Sequence, residues 1–417
     1  MSSGHRQPEL YVVGGGIIGL CSALELQSHG VRVAIVEAET ICGGASYGNA
    51  GHIACEQVFP IAEPAILAQL PSMLTNPLGP LRLDWQYLPR LMPWALKLLW
   101  SMRPQAAAHI HRALKQINDA SLAAWQDFAR RWQLQPWLHV QGSLLTAERA
   151  ESVAKLAAHG ERLNDLGVPN RLLKQQALQE REPLLADTQQ AALFFPETGH
   201  ISDLPRIARQ LRQHFTDLGG TVREHCPVTH ITPGSGHVVL HTPQGGITAP
   251  KVLISAGAFS KQLAAQATGV RVPLDTERGY HLMLPHELQR LSVPVTSMER
   301  RFIMTPMASG LRLAGTVEFA GLDKPAHMAR AQQLLKLAQP MFKTALDSRD
   351  AAPWMGFRPS TADSLPVIDR QQHVFLNFGH QHLGLTQAVV SAQITAALYF
   401  ERPAGLDIRP YRLARFA

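Results

Sequence analysis

The first apolar run of the chain, Leu10 to Val13, stops at glycines spaced Gly14-x-Gly16-x-x-Gly19. A helical stretch follows, and a second apolar run from Val31 ends in Glu37. Strand, glycine turn, helix, strand and terminal acid in that order predict a β-α-β unit that binds a dinucleotide. Gly14 permits the tight turn out of the strand, Gly16 lets a pyrophosphate approach the backbone, and Gly19 lets the helix pack on the sheet. The helix N-terminus offers free N–H groups to the phosphates. Glu37, about 20 residues on, is placed to accept hydrogen bonds from ribose hydroxyls.

Beyond this unit the pattern changes several times. A loop from Gly43 to His52 carries four glycines with Ser46 and Asn49, a backbone able to lie against a ligand. From 57 to 104, Pro60, Pro64, Pro71, Pro77, Pro80, Pro89, Pro93 and Pro104 divide an apolar stretch in which Glu63 is the only charge between Val58 and Leu81. Leu88 to Arg103 sets Arg90, Lys97 and Arg103 against Leu91, Met92, Trp94, Leu96, Leu98, Leu99, Trp100 and Met102. This suits either an interfacial helix on an anionic membrane or a core-packed helix hairpin with solvated basic ends, the commoner arrangement. Ile110, Leu114, Ile117, Trp125, Phe128 and Trp132 predict one long helix over 105–134.

Strands are expected at Gly142–Thr146, Ala192–Phe195, Thr221–Val228, Val238–Thr242, Ile247–Thr248 and Lys251–Ala258, with a helix over Leu204–Leu218. Further strands are expected at Tyr280–Leu284, Arg301–Met304 and Leu311–Gly315, then a helix near 325–346. Val374 to Thr386 repeats strand, glycine loop and helix, the helix running to Tyr399.

At 417 residues the chain exceeds one ordinary core, so two interleaved domains are expected. Charged residues are only 17%, against roughly 25% in typical soluble chains. The net charge of +7 favours anionic partners, but no block of five or six basic residues occurs, so nucleic acid is not expected as a partner. Cys21, Cys42, Cys55 and Cys226 form no metal-like pair, and no metal is expected. They read as thiols in a reducing compartment. With no run of 18 apolar residues, a cytoplasmic location is expected, with contact to the inner membrane face through 57–103 left open.

A diffusible nicotinamide cofactor needs one such fingerprint. The second glycine loop, some 360 residues later, better suits a permanently held FAD contacted from both ends of the chain. The helix starting near Leu385 would aim its positive end at the flavin pyrimidine edge, where negative charge appears on reduction.

Taken together these segments resemble the D-amino-acid oxidase superfamily of flavoproteins, most closely its bacterial FAD-dependent D-amino-acid dehydrogenases. The resemblance rests on Val12–Gly19 with Glu37, on Ser46–Gly51, on Ser255-Ala256-Gly257, on Glu277–His281, on Gly356–Pro359 and on Gly379–Thr386, in that order. It implies an α/β fold: a Rossmann-like FAD-binding domain (8–56, 196–270, 352–417) interleaved with a substrate domain built on an antiparallel sheet with helices (57–195, 271–351). It implies FAD contacts at Gly14, Gly16, Ile17, Gly19, Glu37, Ala38, Ser46, Asn49, Ala50, Gly51, Val228, Ala256 and Gly257. Further contacts are implied at Gly379, Leu383, Gly384, Leu385 and Thr386.

Arg358 sits where relatives place the arginine that clamps the substrate carboxylate, a planar and directional grip. Tyr280 matches a pocket residue whose hydroxyl would add to that grip, while His382 and His52 are implied to line the same pocket. His380 could as easily hold the loop together. The implied reaction is oxidation of a D-amino or D-imino acid by hydride transfer to flavin N5, with no unambiguous base in the sequence.

The Arg278-Gly279-Tyr280-His281 version of the pocket motif is closer to the hydroxyproline branch, pointing to cis-4-hydroxy-D-proline or D-proline. A membrane quinone is the expected acceptor. The alternatives are an oxygen-using oxidase of glycine, sarcosine or D-amino acids, or a flavin subunit of a heteromeric dehydrogenase.

Overall fold

Strands Thr221–Arg223, Val33–Val36, Leu10–Val13, Val252–Ile254 and Val374–Phe378 lie side by side in that order, all parallel, with Val367–Gln371 antiparallel at the edge. In the computed structural model, which describes residues 7–60 and 79–417, this sheet is buried on both faces. Leu10 and Val12 enter one core and Tyr11 and Val13 the other; Val33 and Ile35 alternate with Ala34 and Val36 in the same way. That is why these strands read as continuous apolar runs. Glu63, Pro64, Pro71 and Pro77 lie outside the described residues.

The helices Ile17–Ser28 and Gly384–Tyr399 pack against each other on one face of the sheet. Leu20, Leu24 and Leu26 are fully buried there. Each contributes roughly 1.5–3 kcal/mol by burial, well beyond any difference in intrinsic helix propensity. A three-stranded antiparallel meander, His230–Pro233, Val238–Thr242 and Gly245–Ala249, and the helix Ser260–Thr268 belong to the opposite core. Its first strand was not visible as an apolar run.

A second, nine-stranded sheet runs Ala352–Thr361, Leu274–Leu284, Gly310–Phe319, Phe302–Met307, Val295–Ser297, Ser143–Ala147, Ala191–Phe195, Arg171–Lys174, with Leu81–Leu83 paired to Gly310–Phe319. It is mainly antiparallel, as expected. A small third sheet joins His52–Ile53, Gly199–Ile201 and Leu138–His139.

The expected boundaries need two corrections. Ala352–Thr361 is a strand of the nine-stranded sheet, in continuous register with Leu274–Leu284 from Leu274↔Thr361 to Met283↔Ala352, and is not part of the cofactor unit. The long helix Pro104–Arg131 packs on Gly384–Tyr399, with Trp125 fully buried and Tyr411 donating from its hydroxyl to the Ala113 carbonyl at 2.7 Å. It covers the cofactor sheet although it lies within the expected insertion. Two elements are shorter than anticipated. The strand after Gly220 ends at Arg223, and the helix near 325–346 spans only Ala329–Ala338.

Candidate active site

The cofactor cradle is shaped by contacts that exclude a Cβ. Gly14 has φ +100°, and a Cβ there would sit 2.6 Å from the Ser255 carbonyl oxygen. A Cβ on Gly19 would lie 1.9 Å from the Gly14 carbonyl oxygen. Only glycine allows this strand, turn and helix to close on one another.

Glu37 stands beside the turn, its Oε2 accepting from the Gly15 N–H at 2.6 Å and its Oε1 from Glu39 N–H at 2.9 Å. Ala38 is exposed next to it, and Cys226 N–H donates to the Glu37 carbonyl, which brings partly buried Val228 to the same edge. Gly16 precedes the helix without a side-chain cap of its own. The Ser46 hydroxyl instead accepts from Ile17 N–H at 2.9 Å, so Ser46 stands at the helix terminus where a phosphate would bind. Ile17, Thr40, Cys42, Gly43 and Ser46 line a cleft of about 190 Å³ at this point.

Asn49 Oδ1 accepts from Gly51 N–H at 2.8 Å, closing a turn that includes Ala50. Gly51 (φ +77°) lies so close to Ile201 that a Cβ would meet its carbonyl at 2.6 Å. Ala256 and Gly257 follow the central strand, and the buried Ser255 hydroxyl beside them has no partner.

The second glycine loop converges on the same region. Gly379 has φ +85°, and Gln381 and Leu383 form a short turn into Gly384–Tyr399. That helix begins without a capping side chain or a first-turn acid, although Leu385 and Thr386 are buried. A buried, uncapped helix start leaves N–H groups that need an electronegative partner. Trp125 Nε1 donates to the Leu385 carbonyl at 2.8 Å, and Ala54 N–H donates to Thr386 Oγ1 at 2.9 Å, so the start is held from two sides. The glycine cradle, the orphaned hydroxyl and the uncapped helix fit a flavin dinucleotide.

Arg358, on Ala352–Thr361, lies directly opposite Glu277 on Leu274–Leu284. Its guanidinium crosses over Gly279, where a Cβ would be 2.4 Å from Arg358 Cζ. Nη1 donates to the Thr316 carbonyl at 3.1 Å, and Nε and Nη2 have no acceptor among the described residues. Burial pushes the guanidinium below its ordinary value while the Glu277 carboxylate pulls it back. Burial likewise raises Glu277.

His382 comes to the same space, its Nε2 2.5 Å from Gln57 Oε1. Burial and then Arg358 lower it to about 4, so the imidazole is neutral. Arg358 is partly accessible to water and His382 exposed, although protein surrounds both, so they flank an open space beside the strand pair. His52 is within electrostatic reach of His382 and is lowered to about 3, mainly by burial.

Tyr280 is not brought to this space. The pleat turns it to the other face of the strand, where its hydroxyl donates to Glu318 Oε2 at 2.5 Å and accepts from His327 N–H at 3.1 Å. Its neighbour Arg278 is spent on the Gly321 and Lys324 carbonyls. His380 is buried and its backbone bridges to Ser360, a structural position.

Three residues that were not candidate site residues hold the Ser46–Gly51 loop from the substrate sheet. Arg312 donates from Nη1 to the Asn49 carbonyl at 2.5 Å, and His281 Nδ1 donates to the Gly48 carbonyl at 3.0 Å. Trp354 stacks on His281 with centroids 4.9 Å apart and lies where a Gly48 side chain would be. The sequence signal for Glu277 and His281 was their place in the Glu277–His281 motif; Arg312, Trp354 and Gln57 carry none. Among the described residues no cluster of His, Cys, Asp and Glu is arranged to hold a metal ion.

A glycine-shaped dinucleotide cradle at the end of a parallel sheet is the arrangement of a redox enzyme. The chain belongs to the FAD dependent oxidoreductase family, whose model matches residues 9–398, and its cofactor is FAD. It is 29% identical over 426 residues to a D-amino-acid oxidase of Bradyrhizobium diazoefficiens, covering 97% of this chain and 98% of that one. It is 28% identical over 425 residues to a D-amino acid dehydrogenase of Paramagnetospirillum magneticum, covering 98% and 99%. Glycine oxidase from Geobacillus kaustophilus superposes with a TM-score of 0.77 at 23% identity, over 98% of this chain and 99% of that chain, a likeness of fold.

Proposed function

We propose that the chain oxidises a D-amino or D-imino acid at its α-carbon. The observation that carries this reading is the guanidinium of Arg358, set opposite Glu277 with Nε and Nη2 unpaired among the described residues. A partly buried cation with donors to spare favours an anion, and a planar carboxylate matches its fork. Bound FAD supplies the hydride acceptor. The protein's part is to fix the carboxylate at Arg358, to aim the α-carbon at the flavin, and to exclude water. The names of the two curated relatives support D-stereochemistry.

Neutral His382, hydrogen-bonded to Gln57 on the same wall, suits a substrate carrying a ring hydroxyl, and cis-4-hydroxy-D-proline is the preferred candidate over D-proline. Anaerobic mixing of the flavin-loaded protein with D- and L-amino acids, D-proline and cis-4-hydroxy-D-proline tests this. Bleaching of the flavin by D-substrates is expected; bleaching by L-amino acids alone, or by none, overturns the reading.

The acceptor is proposed to be a membrane quinone. Among the described residues no helix is long and apolar enough to cross a membrane. The helix Leu88–Ser101, however, exposes Met92, Leu96, Leu99 and Trp100 on one side, with Trp85 just before it. No acidic residue occurs between Asp84 and Asp119, while Arg90, Lys97 and Arg103 do. Exposed apolar residues with basic neighbours suit the surface of an anionic bilayer. Stoichiometric hydrogen peroxide on turnover in air, with no reduction of a quinone analogue, would favour the oxidase alternative.

A further inference from the structure

An amino acid arrives as an ammonium ion, and its α-carbon releases a hydride only when the nitrogen lone pair is free. On the function proposed above, one proton must therefore leave the site in each turnover. Arg358 is a fixed cation there, and Glu277 faces it directly. The proton's acceptor has to be sought elsewhere.

The third sheet supplies a continuous line of groups. His52 pairs with His200, and His200 pairs with His139, across three antiparallel strands. Cross-strand partners project from one face, so three imidazoles stand in a row. The His200 and His139 rings stack with centroids 4.9 Å apart at 25°. At the inner end, His52 Nε2 is 3.7 Å from Glu56 Oε1. At the outer end, half-buried His139 places Nε2 3.0 Å from Ser202 Oγ. His52 Nε2, Glu56 Oε2 and His200 Nδ1 are all buried without a hydrogen-bond partner among the described residues. Orphaned buried polar atoms are rare, and three on neighbouring segments form a polar site of the kind that buried water satisfies.

We propose that this row is the route by which the substrate's amine proton leaves, passing by way of His52 to the Glu56 carboxylate and then through water along His200 and His139 to the surface at Ser202. An ammonium N–H bond breaks and an O–H bond forms on Glu56. The freed lone pair becomes the C=N bond as the α-hydrogen departs with its electron pair to FAD. Glu56 then gives its proton to water and returns to carboxylate.

The electrostatics agree with this division of labour. Burial raises Glu56 to about 8 and lowers His52 and His200 to about 3. The imidazoles thus act as neutral hydrogen-bonding groups, and the carboxyl is the group that changes state near neutrality. Around Glu56, the Gln57 side chain hydrogen-bonds to the carboxyl and pulls it down, and Cys55 feels its charge together with those of Asp119 and Glu197; His382 couples to His52 instead.

The test uses the flavin-loaded protein with Glu56→Gln, Glu56→Asp and His139→Phe. Without substrate, infrared titration of the parent should show a protonated-carboxyl band that disappears near pH 8 and is missing in Glu56→Gln. With D-substrate under anaerobic conditions, Glu56→Gln should slow flavin reduction by about tenfold or more above pH 8, where the parent's carboxylate predominates. It should also shift the rising pH limb to higher pH, with Glu56→Asp recovering part of the rate. His139→Phe should raise the solvent isotope effect on reduction with KM unchanged. Absence of the titrating band, or parent-like reduction and pH dependence in Glu56→Gln, overturns the route alone. If Glu56→Gln does not fold, Glu56→Asp and His139→Phe decide it, and parent-like pH profile and isotope effect in both overturn it. Absence of bleaching in the parent sinks the amino-acid reading and the route together.

Discussion

Along Leu274–Leu284, Glu277, Gly279 and His281 face Arg358, Gly356 and Trp354, while Arg278 and Tyr280 face Glu318 and the 320–327 loop. One face is underfilled: Glu277 keeps an unpartnered oxygen, and Gly279 offers only backbone under the guanidinium. The other is saturated, with Arg278 giving four hydrogen bonds to carbonyls and the Tyr280 hydroxyl both donating and accepting. Buried polar groups left partly unpaired mark where a ligand completes the structure, whereas fully paired ones maintain the fold. Five consecutive motif residues thus divide between chemistry and architecture according to the period of the strand.

That contrast can be broken from the ligand side first. Arg358→Lys should lower kcat/KM by roughly 10²–10³-fold, because an ammonium cannot reproduce the two-pronged grip. The visible flavin spectrum should persist; a colourless variant would show that Arg358 holds cofactor or fold instead. Gly279→Ala puts a Cβ into the space of the Arg358 guanidinium and should lower kcat/KM by roughly 10-fold or more, again with flavin retained. An unchanged kcat/KM would refute the packing of Arg358 over Gly279.

Acid tests the buried imidazoles that line and support the site. His52, His200, His281 and His380 are each held near 3, and His382 near 4. Between those values and the ordinary value of about 6.5, the unfolded chain binds protons that the folded chain does not, so stability falls as pH drops. Glu56, neutral in the fold up to about 8, and the carboxyls of Glu182, Asp275 and Glu277, also raised by burial, act in the opposite sense, but the lowered imidazoles, His139 among them, outnumber them. Tm should drop by several degrees between about pH 7 and about pH 5. A Tm that holds or rises across that range would contradict the burial of these rings.

On the saturated face, Tyr280→Phe removes a hydroxyl that satisfies Glu318 and the His327 N–H. A cost of about 1–3 kcal/mol in stability is expected, with KM within about twofold of the parent. A large KM increase would return Tyr280 to the substrate. The smallest effect concerns the exposed helix. Leu96, Leu99 and Trp100 replaced together by serine should reduce sedimentation with anionic vesicles several-fold while leaving Tm within about one degree. Leu98 is left in place because it packs inward with Leu91 and Trp94. Equal sedimentation of both proteins would assign this face to another contact.

Much of the cofactor unit was legible from residue order, since its determinants are local. Gly19 and Glu37 act within one β-α-β unit, and the buried parallel strands announce themselves as unbroken apolar runs. The second glycine loop before Gly384–Tyr399 was readable for the same reason. The substrate side depends on pairings between residues far apart in the chain. Glu277 meets Arg358 across a strand pair, Arg312 reaches the Asn49 carbonyl, and His52, His200 and His139 come into line from three separate segments. Strand register and pleat decide such meetings, and a shift of one residue would send Tyr280 inward and Glu277 outward. Sequence alone therefore determined that this chain cradles a dinucleotide. Only the tertiary structure decided which side chains meet beside that cradle, because that follows from which strands lie beside one another.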